Sequence, residues 1–237
     1  MVTTMPATVP RTKPRPGGRT QLDVAAVLFD MDGTLLDSAA AITTAWTRFA
    51  ERNDLDVARV LRSVPGRTGP AIIAEHVTDP VHAARELDLL VREQEQLVDG
   101  IDPIPGARAL LQSLPRHAWA VVTSAPLRVA ARRLAAAGLP NPPVLVGAED
   151  VRASKPDPEG FDLAARTLDA HLTDCLVVED SAAGIQAGLR GNATVLRVGT
   201  DPDAAALSAH LDAPDLRVVH AQTTTDHRLT IRVRDGA

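Results

Sequence analysis

The amino-acid sequence predicts an α/β fold with a core of parallel strands and one purely helical insert. Short apolar runs alternate with helical patterns from residue 103 onwards, as in βαβ units. The apolar run 24–29 ends in turn residues, which is typical of a strand buried on both faces of a parallel sheet. Residues 38–102 show only helical spacing. We therefore expect a tail over 1–20, a core domain of residues 21–37 and 103–237, and an α-helical insert over 38–102.

The composition of the chain argues against nucleic acids and membranes as binding partners. The chain of 237 residues has a net charge of −5 and only 2% aromatic residues, so it lacks the basic surface and the stacking side chains of nucleic-acid binders. No apolar stretch approaches the length needed to cross a membrane. The single cysteine, Cys175, excludes an intrachain disulfide and fits a reducing compartment such as the cytoplasm. We expect a monomer or weak homodimer that binds neither nucleic acid nor membranes.

The tail and the insert have contrasting patterns. The first twenty residues are rich in proline and arginine and contain no acidic residue, which predicts a disordered tail; the apolar segment of a secretory signal is missing. In the insert, Ile42, Trp46 and Phe49 recur on one helical face, and Ser38 is a candidate N-cap before them. Further helices are expected over 57–61, 70–76 and 81–98, with a loop at 63–67.

Turn and cap signals divide the core into further elements. Pro105 and Pro126 are suited to begin helices, Gly138 to end one, and Ser181 to cap another. Strands are expected over 118–122, 144–146, 175–178, 194–198 and 216–219. Helices are expected over 105–114, 126–137, 159–171 and 181–190. The alternating pattern over 229–233 predicts a half-exposed strand, which we place at an edge of the sheet.

Polar side chains follow three of the predicted strands at the point where each strand ends. They are Asp30 and Asp32 after the first strand, Thr123 and Ser124 after the second, and Glu179 and Asp180 after the fourth. A loop over 154–158 adds Lys155, in a chain whose only other lysine is Lys13. Because the carboxyl ends of parallel strands meet at one edge of a sheet, we expect these side chains to converge. Carboxylates, a hydroxyl and an ammonium group suit a phosphate and Mg²⁺.

Four sequence segments surround these residues in a fixed order. They are DMDGTLLDS (30–38), VVTSAP (121–126), SKPDPEGF (154–161) and VVEDSAAGI (177–185). Together they resemble the four motifs of the haloacid dehalogenase superfamily, most of whose members are phosphatases. The resemblance covers residues 24 to about 200 and includes the helical insert, which matches the α-helical cap of that family. It implies a Rossmann-like core, a Mg²⁺ cofactor and a small phosphorylated metabolite as substrate.

The resemblance implies a catalytic role for Asp30, Asp32, Thr123 and Lys155, and a substrate-binding role for Ser124. Asp30 is expected to be the nucleophile that forms an aspartyl-phosphate, and Asp32 to be the general acid and base. Thr123 and the backbone N–H of Ser124 are expected to bind phosphoryl oxygens. Lys155 is expected to bridge the phosphoryl group and the Asp30 carboxylate.

The resemblance also implies a metal site. Mg²⁺ is expected to bind Asp30, the backbone carbonyl of Asp32 and the Asp180 carboxylate, with Glu179 as an outer or occasional direct ligand. Asp32 further favours phosphoryl transfer over dehalogenation, because an alkoxide leaving group needs a proton whereas a halide does not.

The insert is expected to decide which substrate reacts. Its loop SVPGRTGPAI (63–72) contains Gly66, suited to a close backbone approach, and Arg67, suited to bind the leaving group; an exposed turn without a role is the alternative. The insert, which lacks lysine, and the segment LPRHAWAVVTSA (114–125) are most similar to the glycerol-phosphate, 2-deoxyglucose-6-phosphate and hexitol-phosphate phosphatases. We therefore predict a phosphatase for a small phosphorylated sugar or polyol. The alternatives are a phosphomutase similar to β-phosphoglucomutase and a catalytically inactive binding module.

Overall fold

Strands and helices alternate along most of the chain in the computed structural model, which describes residues 13–15, 19–200 and 202–234. The strands are β1 (Lys13–Arg15), β2 (Arg19–Val24), β3 (Ala26–Phe29), β4 (Leu36–Asp37), β5 (Asp102–Pro103), β6 (Trp119–Val122), β7 (Leu145–Val146), β8 (Cys175–Glu179), β9 (Thr194–Val198), β10 (Leu211–Ala213), β11 (Val219–Thr223) and β12 (Leu229–Arg234). The helices are α1 (Ala39–Arg52), α2 (Val57–Arg62), α3 (Gly69–His76), α4 (Pro80–Gln96), α5 (Ala107–Ser113), α6 (Leu127–Ala136), α7 (Glu159–Thr167), α8 (Ala182–Arg190) and α9 (Pro202–Ala205). Among these described helices, none combines the length and the apolar character that crossing a membrane requires.

Strand β3 lies inside a six-stranded sheet with the order β10-β9-β8-β3-β6-β7, in which every neighbouring pair is parallel. All four residues of β3 are buried, and they alternate between two apolar clusters. Val27 and Phe29 pack with residues of α5 and α6, whereas Ala26 and Leu28 pack with residues of α7 and α8. Helices therefore cover both faces of the sheet, which confirms the predicted α/β fold with a parallel core.

The helices α1 to α4 form the insert between β4 and β5. These two short strands pair antiparallel, so the chain leaves the core and returns to it at neighbouring points. The insert has an apolar cluster of its own, in which Trp46 and Phe49 meet edge to face with ring centroids 5.4 Å apart. Ser38 occupies the predicted N-cap of α1, but its hydroxyl donates to Asp32 rather than accepting from a helix N–H.

The C-terminal part of the chain corrects two predictions. The predicted edge position of 229–233 is wrong, because β12 lies between β2 and β11 in a separate antiparallel sheet with the order β1-β2-β12-β11. The strand predicted over 216–219 is misplaced, because only Val219 lies in a strand, as the first residue of β11. Leu216–Val218 forms a 3-10 turn in which the Asp215 carboxylate accepts a hydrogen bond from the Arg217 N–H, and β10 is the outer strand of the parallel sheet instead.

Two predicted boundaries differ as well. Lys13–Arg15 pairs with 19–21, in contrast to the disordered tail expected over 1–20; the remainder of that tail, 1–12 and 16–18, lies outside the described residues. The helix expected to reach residue 171 ends at Thr167. Asp169 has a φ of +55°, in the left-handed region that an α-helix does not use.

Candidate active site

Three neighbouring strands of the parallel sheet end at one place and bring the predicted motif residues together. Asp30 follows β3, Thr123 follows β6, and Glu179 ends β8. Lys155 reaches the same place from the loop before α7. All four side chains are buried, although three of them carry charges. Buried charges of this kind require partners, so the contacts among them determine what the site can do.

Lys155 is the buried cation of this site. Its Nζ donates to Oδ1 of Asp30 at 2.5 Å, to Oε1 of Glu179 at 2.7 Å and to the carbonyl oxygen of Val122 at 3.2 Å. Burial by itself lowers the pKa of Lys155, but the charges of the two carboxylates outweigh it and raise this pKa above its ordinary value. The ammonium group therefore stays protonated and keeps a fixed positive charge beside Asp30.

Three carboxylates crowd around that charge. Oxygen atoms of Asp30, Glu179 and Asp180 lie within 4.8 Å of one another. Burial, followed by the charge of Glu179, raises the pKa of Asp180 to about 8. Burial also raises the pKa of Asp30 well above its ordinary value; Lys155 opposes this shift, while Glu179 and Asp180 add to it. Fully ionised, the three carboxylates would carry more negative charge than one lysine balances, so burial and mutual repulsion favour the protonated forms of Asp30 and Asp180.

The donors of this cluster fit Mg²⁺, which prefers carboxylate oxygens. Glu179 is already occupied, because its Oε2 accepts from both backbone N–H groups of Asp180 and Ser181 and from the Ser181 hydroxyl. Asp180 accepts only one side-chain hydrogen bond among the described residues, from the Thr34 hydroxyl at 3.1 Å. Asp30 and Asp180 are therefore the carboxylates best placed to hold the ion directly, with Glu179 supporting them.

Gly33 brings the loop after β3 against Asp180. A Cβ atom at this position would lie 2.0 Å from Oδ2 of Asp180, and the φ of Gly33 is +91°. Both facts require glycine here, because a side chain would displace the carboxylate and would not tolerate this backbone conformation. The DMDGT segment is thus shaped to approach the Asp180 carboxylate.

The Asp32 side chain lies outside the carboxylate cluster. Its Oδ1 accepts a hydrogen bond from the Ser38 hydroxyl at 2.5 Å and another from Nη1 of Arg133 at 2.9 Å. Sequence reasoning missed Arg133, which is buried on the inner face of α6 with Val129 and Leu134. An available signal was the helical spacing of these three residues, which places a cation on an otherwise apolar face.

The insert touches the core through the loop that contains Gly66. The Ser124 hydroxyl donates to the carbonyl oxygen of Gly66 at 2.8 Å. Gly66 has a φ of +73°, and a Cβ atom there would lie 2.8 Å from Cβ of Ala183 and 3.0 Å from Oγ of Ser181. The predicted suitability of Gly66 for a close approach therefore has a geometric basis. Thr123 is engaged locally, since its Oγ1 accepts from the Ala125 N–H at 3.0 Å.

Arg67 makes a contact that the sequence did not reveal. Its guanidinium forms a salt bridge with both oxygens of Glu75 on α3, and a side-chain hydrogen bond from Arg67 lowers the pKa of Glu75. Arg67 still lines the space between insert and core. Its charge toward a ligand is nevertheless partly neutralised by Glu75.

A cavity of about 330 Å³ lies between the insert and the carboxyl edge of the sheet. On the core side it is lined by Asp30, Asp32, Ser124, Arg133 and Asp180. On the insert side its apolar lining includes Ile42, Trp46, Leu61, Val64, Leu87, Leu90 and Val91. The volume lies within the range of sites that enclose small molecules. The arrangement suits a ligand with an anionic group at the core and a compact body under the insert.

Comparison with known proteins agrees with this geometry. Residues 24–192 match the family model described as "Hydrolase: haloacid dehalogenase-like hydrolase". The chain is 37% identical over 180 residues to hexitol phosphatase A of Escherichia coli (strain K12), an alignment that covers 74% of this chain and 83% of the relative. It is 36% identical over 188 residues to validoxylamine A 7'-phosphate phosphatase of Streptomyces hygroscopicus subsp. limoneus, covering 76% and 88%.

Solved structures share the same fold. The structure of β-phosphoglucomutase from Clostridium difficile superposes with a TM-score of 0.72 at 22% identity and covers 81% of this chain and 92% of that protein. At this identity the likeness concerns the fold alone. The family model, however, matches well over half of the chain and includes all four motifs. The chain therefore belongs to the haloacid dehalogenase-like hydrolase family.

Proposed function

We propose that the protein is a Mg²⁺-dependent phosphatase that hydrolyses a small phosphorylated sugar or polyol through an aspartyl-phosphate on Asp30. The observation that carries this proposal is the buried contact of Asp30 with Lys155, beside Asp180 and at the base of the cavity. A carboxylate held next to a permanent cation can approach a phosphate dianion that it would otherwise repel. Family membership supports the same reaction class.

The first half-reaction transfers the phosphoryl group to the protein. An Asp30 oxygen bonds to phosphorus as the bond from phosphorus to the leaving oxygen breaks, and that oxygen takes the electron pair together with a proton from Asp32. In this proposal Lys155 and the Ser124 N–H hold the phosphoryl oxygens. Mg²⁺ held by Asp30 and Asp180 would supply positive charge that offsets the charge of the carboxylate and the phosphoryl group.

The second half-reaction restores the protein. Asp32, now a carboxylate, takes a proton from water while the water oxygen bonds to phosphorus. The bond from phosphorus to Asp30 breaks, phosphate leaves, and the Asp30 carboxylate is regenerated. Asp32 therefore has to stay close to the reacting oxygen in both steps. General acid–base catalysis of this kind contributes about 10²–10⁴-fold to a rate.

The substrate proposal rests on the relatives and on the cavity. The two relatives are named for the phosphates of a hexitol and of validoxylamine A. The cavity has room for a small molecule, and its insert side offers apolar surface together with the side chain of Gln94. Arg67 is the single cation that the described part of the insert contributes to the lining, and Glu75 already pairs with it. This favours a monophosphate with an uncharged leaving group.

A phosphomutase is the second candidate, because β-phosphoglucomutase has the same fold. A mutase that passes through a bisphosphate has to bind a second phosphate at the insert side. The pairing of Arg67 with Glu75 is unfavourable for that task, so hydrolysis is the better supported function. An inactive binding module is the least supported, since Asp30, Asp32, Lys155 and Asp180 are all present.

The deciding experiment is a phosphate-release screen over hexose, hexitol and glycerol phosphates, phosphoglycolate and nucleotides, with and without Mg²⁺. The same samples are assayed for conversion of a sugar 1-phosphate to its 6-phosphate. We expect Mg²⁺-dependent phosphate release that is fastest for sugar or polyol monophosphates. Isomerisation without net phosphate release would establish the mutase, and inactivity towards every compound would favour the binding module.

A further inference from the structure

Arg133 stands out among the buried side chains of the core. Its side chain is only 2% exposed, although it is the longest and most polar residue on the inner face of α6. Its neighbours on that face, Val129, Ala130 and Leu134, are apolar. A buried guanidinium is costly unless its charge and its donors are satisfied, so the position calls for a specific partner.

The partner of Arg133 is Asp32. Nη1 of Arg133 donates to Oδ1 of Asp32 at 2.9 Å, and the Ser38 hydroxyl donates to the same oxygen at 2.5 Å. One donor therefore comes from a core helix and the other from the point where the insert begins. Both bonds use Oδ1, and Oδ2 carries no hydrogen bond from a described residue. The two donors fix the orientation of the carboxylate and leave Oδ2 for another task.

The remaining donors of Arg133 argue against a purely structural role. Nε and Nη2 are buried without a hydrogen-bond partner among the described residues. An arginine that stabilises a core normally spreads its donors over several acceptors. Arg133 instead also lines the cavity and, within the described part of the chain, hydrogen-bonds only to the acid at the cavity wall. Asp32 is thus the hydrogen-bond partner that explains why a charged side chain is buried at this position.

We infer that Arg133 is a positioning residue that holds Asp32 in the orientation needed to pass a proton to and from the reacting oxygen. The inference rests on the role proposed above for Asp32. In the first step the proton leaves Oδ2 of Asp32 for the departing oxygen as the phosphorus–oxygen bond breaks. The carboxylate formed stays paired with the guanidinium, and in the second step it accepts a proton from water.

The test compares two leaving groups in Arg133→Gln. An alkyl phosphate, such as a hexitol phosphate, needs its leaving oxygen protonated, whereas p-nitrophenyl phosphate expels a stable phenolate and hardly needs an acid. The ratio kcat/KM reports steps up to loss of the leaving group. We expect kcat/KM to fall about 10²-fold for the alkyl phosphate and less than about fivefold for the aryl phosphate. Equal losses for both substrates would overturn the inference.

Arg132→Gln is the matched control, because this arginine is the neighbour of Arg133 on α6 but is exposed and reaches only the Glu95 carbonyl. It should leave the alkyl-to-aryl ratio of kcat/KM unchanged. Arg133→Lys keeps the positive charge but loses the planar guanidinium with its fixed donors. It should therefore shift the alkyl-to-aryl ratio of kcat/KM in the same direction as Arg133→Gln, but by less. If Arg133→Gln does not fold, Arg133→Lys carries the test, and an unchanged ratio in that variant would overturn the inference.

Asp32→Asn separates failure of this inference from failure of the proposed function. If Asp32 is the acid, this variant discriminates strongly between the two leaving groups, and adding Arg133→Gln to it has little further effect on the alkyl phosphate. If Asp32→Asn changes the alkyl-to-aryl ratio of kcat/KM but neither Arg133 variant does, the positioning role of Arg133 is rejected and the proposed acid is not. Absence of discrimination in Asp32→Asn would reject the proposed acid, and the inference with it.

Discussion

The two walls of the cavity are built on opposite principles. The core wall concentrates charge, with three carboxylates and Lys155 held within hydrogen-bonding or near-contact distance of one another. The insert wall is largely apolar, and the one cation that its described residues contribute, Arg67, is paired with Glu75. Charge is thus confined to the side where phosphoryl transfer is proposed, and shape dominates the side that meets the rest of the substrate.

This difference separates reactivity from selection. The positions of the buried charged side chains in the core are set by strand ends that the parallel sheet fixes. These positions therefore do not depend on which substrate is bound. In the proposed reaction the insert would enclose the leaving group mainly by apolar contact, and one methylene in such a pocket is worth only about 1–3 kcal/mol. A related chain can therefore change its preferred substrate by altering the insert while keeping the four motifs.

The largest effect is expected at the core wall. Asp30→Asn should reduce phosphate release by roughly 10⁴-fold or more for every substrate, because an amide does not form the phosphorylated intermediate. Lys155 retains its bond to Glu179, so the variant should still fold. Circular dichroism checks the fold and a phosphate assay the activity. Near-normal turnover by a folded Asp30→Asn protein would rule out Asp30 as the nucleophile.

The contact between the two walls should show the next largest effect. Gly66→Ala forces a Cβ against Ala183 and Ser181 and strains the backbone, so kcat/KM should fall about tenfold or more, similarly for all substrates. Gly100→Ala is the matched control, since Gly100 has a φ of +74° but a Cβ atom there would meet no described atom within 4 Å. It bears the same backbone strain without the contact. Equal losses in the two variants would contradict a role for the close approach of Gly66.

Proton competition at the core wall should make Mg²⁺ binding depend on pH. In the metal-free protein the pKa of Asp180 is raised to about 8, so the carboxyl is mostly protonated at pH 6 and must lose its proton to bind the ion. We expect binding to be roughly tenfold or more tighter at pH 8 than at pH 6, measured by calorimetry. Asp180→Asn should reduce this difference, and Asp30, whose pKa is also raised, should account for what is left of it. Equal affinity at both pH values in the unaltered protein would contradict the shift.

The same shift affects stability. Since the folded-state pKa of Asp180 lies above its ordinary value of 3.8, the metal-free fold takes up a proton more readily than the unfolded chain does. Its contribution to the free energy of unfolding should be greatest below about pH 4 and should decline as the pH rises towards 8. Mg²⁺ should therefore raise Tm more at pH 8 than at pH 6.

The smallest effect is expected at the insert wall. Arg67→Ala should change the ranking of sugar and polyol phosphates by roughly threefold to tenfold in kcat/KM, since it alters one partly neutralised contact with the leaving group. Glu75→Gln frees the guanidinium and should improve substrates with an additional anionic group. Arg59→Ala, an exposed arginine of α2, is the control. An unchanged ranking in Arg67→Ala would show that the loop does not select substrates.

Sequence reasoning identified the core wall because its signals are local. Asp30 and Glu179 each occur where an apolar run ends, and parallel topology alone brings such ends together. Arg133 was missed because the sequence around a single cation on an apolar helix face does not indicate which residue pairs with it. Its partner Asp32 is remote from it in the chain. The salt bridge of Arg67 with Glu75 was missed for the same reason, since it depends on how α3 packs beside the loop.

The second sheet shows a related limit. The alternation over 229–233 predicts a strand, but it does not say with which strand it pairs. In the structure β12 lies beside β2, and the Thr230 hydroxyl donates to the Asp23 carboxylate at 2.7 Å across the sheet. Pairing between the two ends of a chain is set by tertiary packing rather than by local propensity.

The most direct test of the account is detection of the phosphorylated aspartate. Asp32→Asn is mixed with radiolabelled p-nitrophenyl phosphate and Mg²⁺, quenched in acid and digested. Without its general base the variant should accumulate the intermediate. We predict a base-labile phosphoryl group on the peptide that contains Asp30, and no label in the double variant Asp30→Asn/Asp32→Asn. Label on another residue, or steady phosphate release with an unlabelled Asp30 peptide, would contradict it.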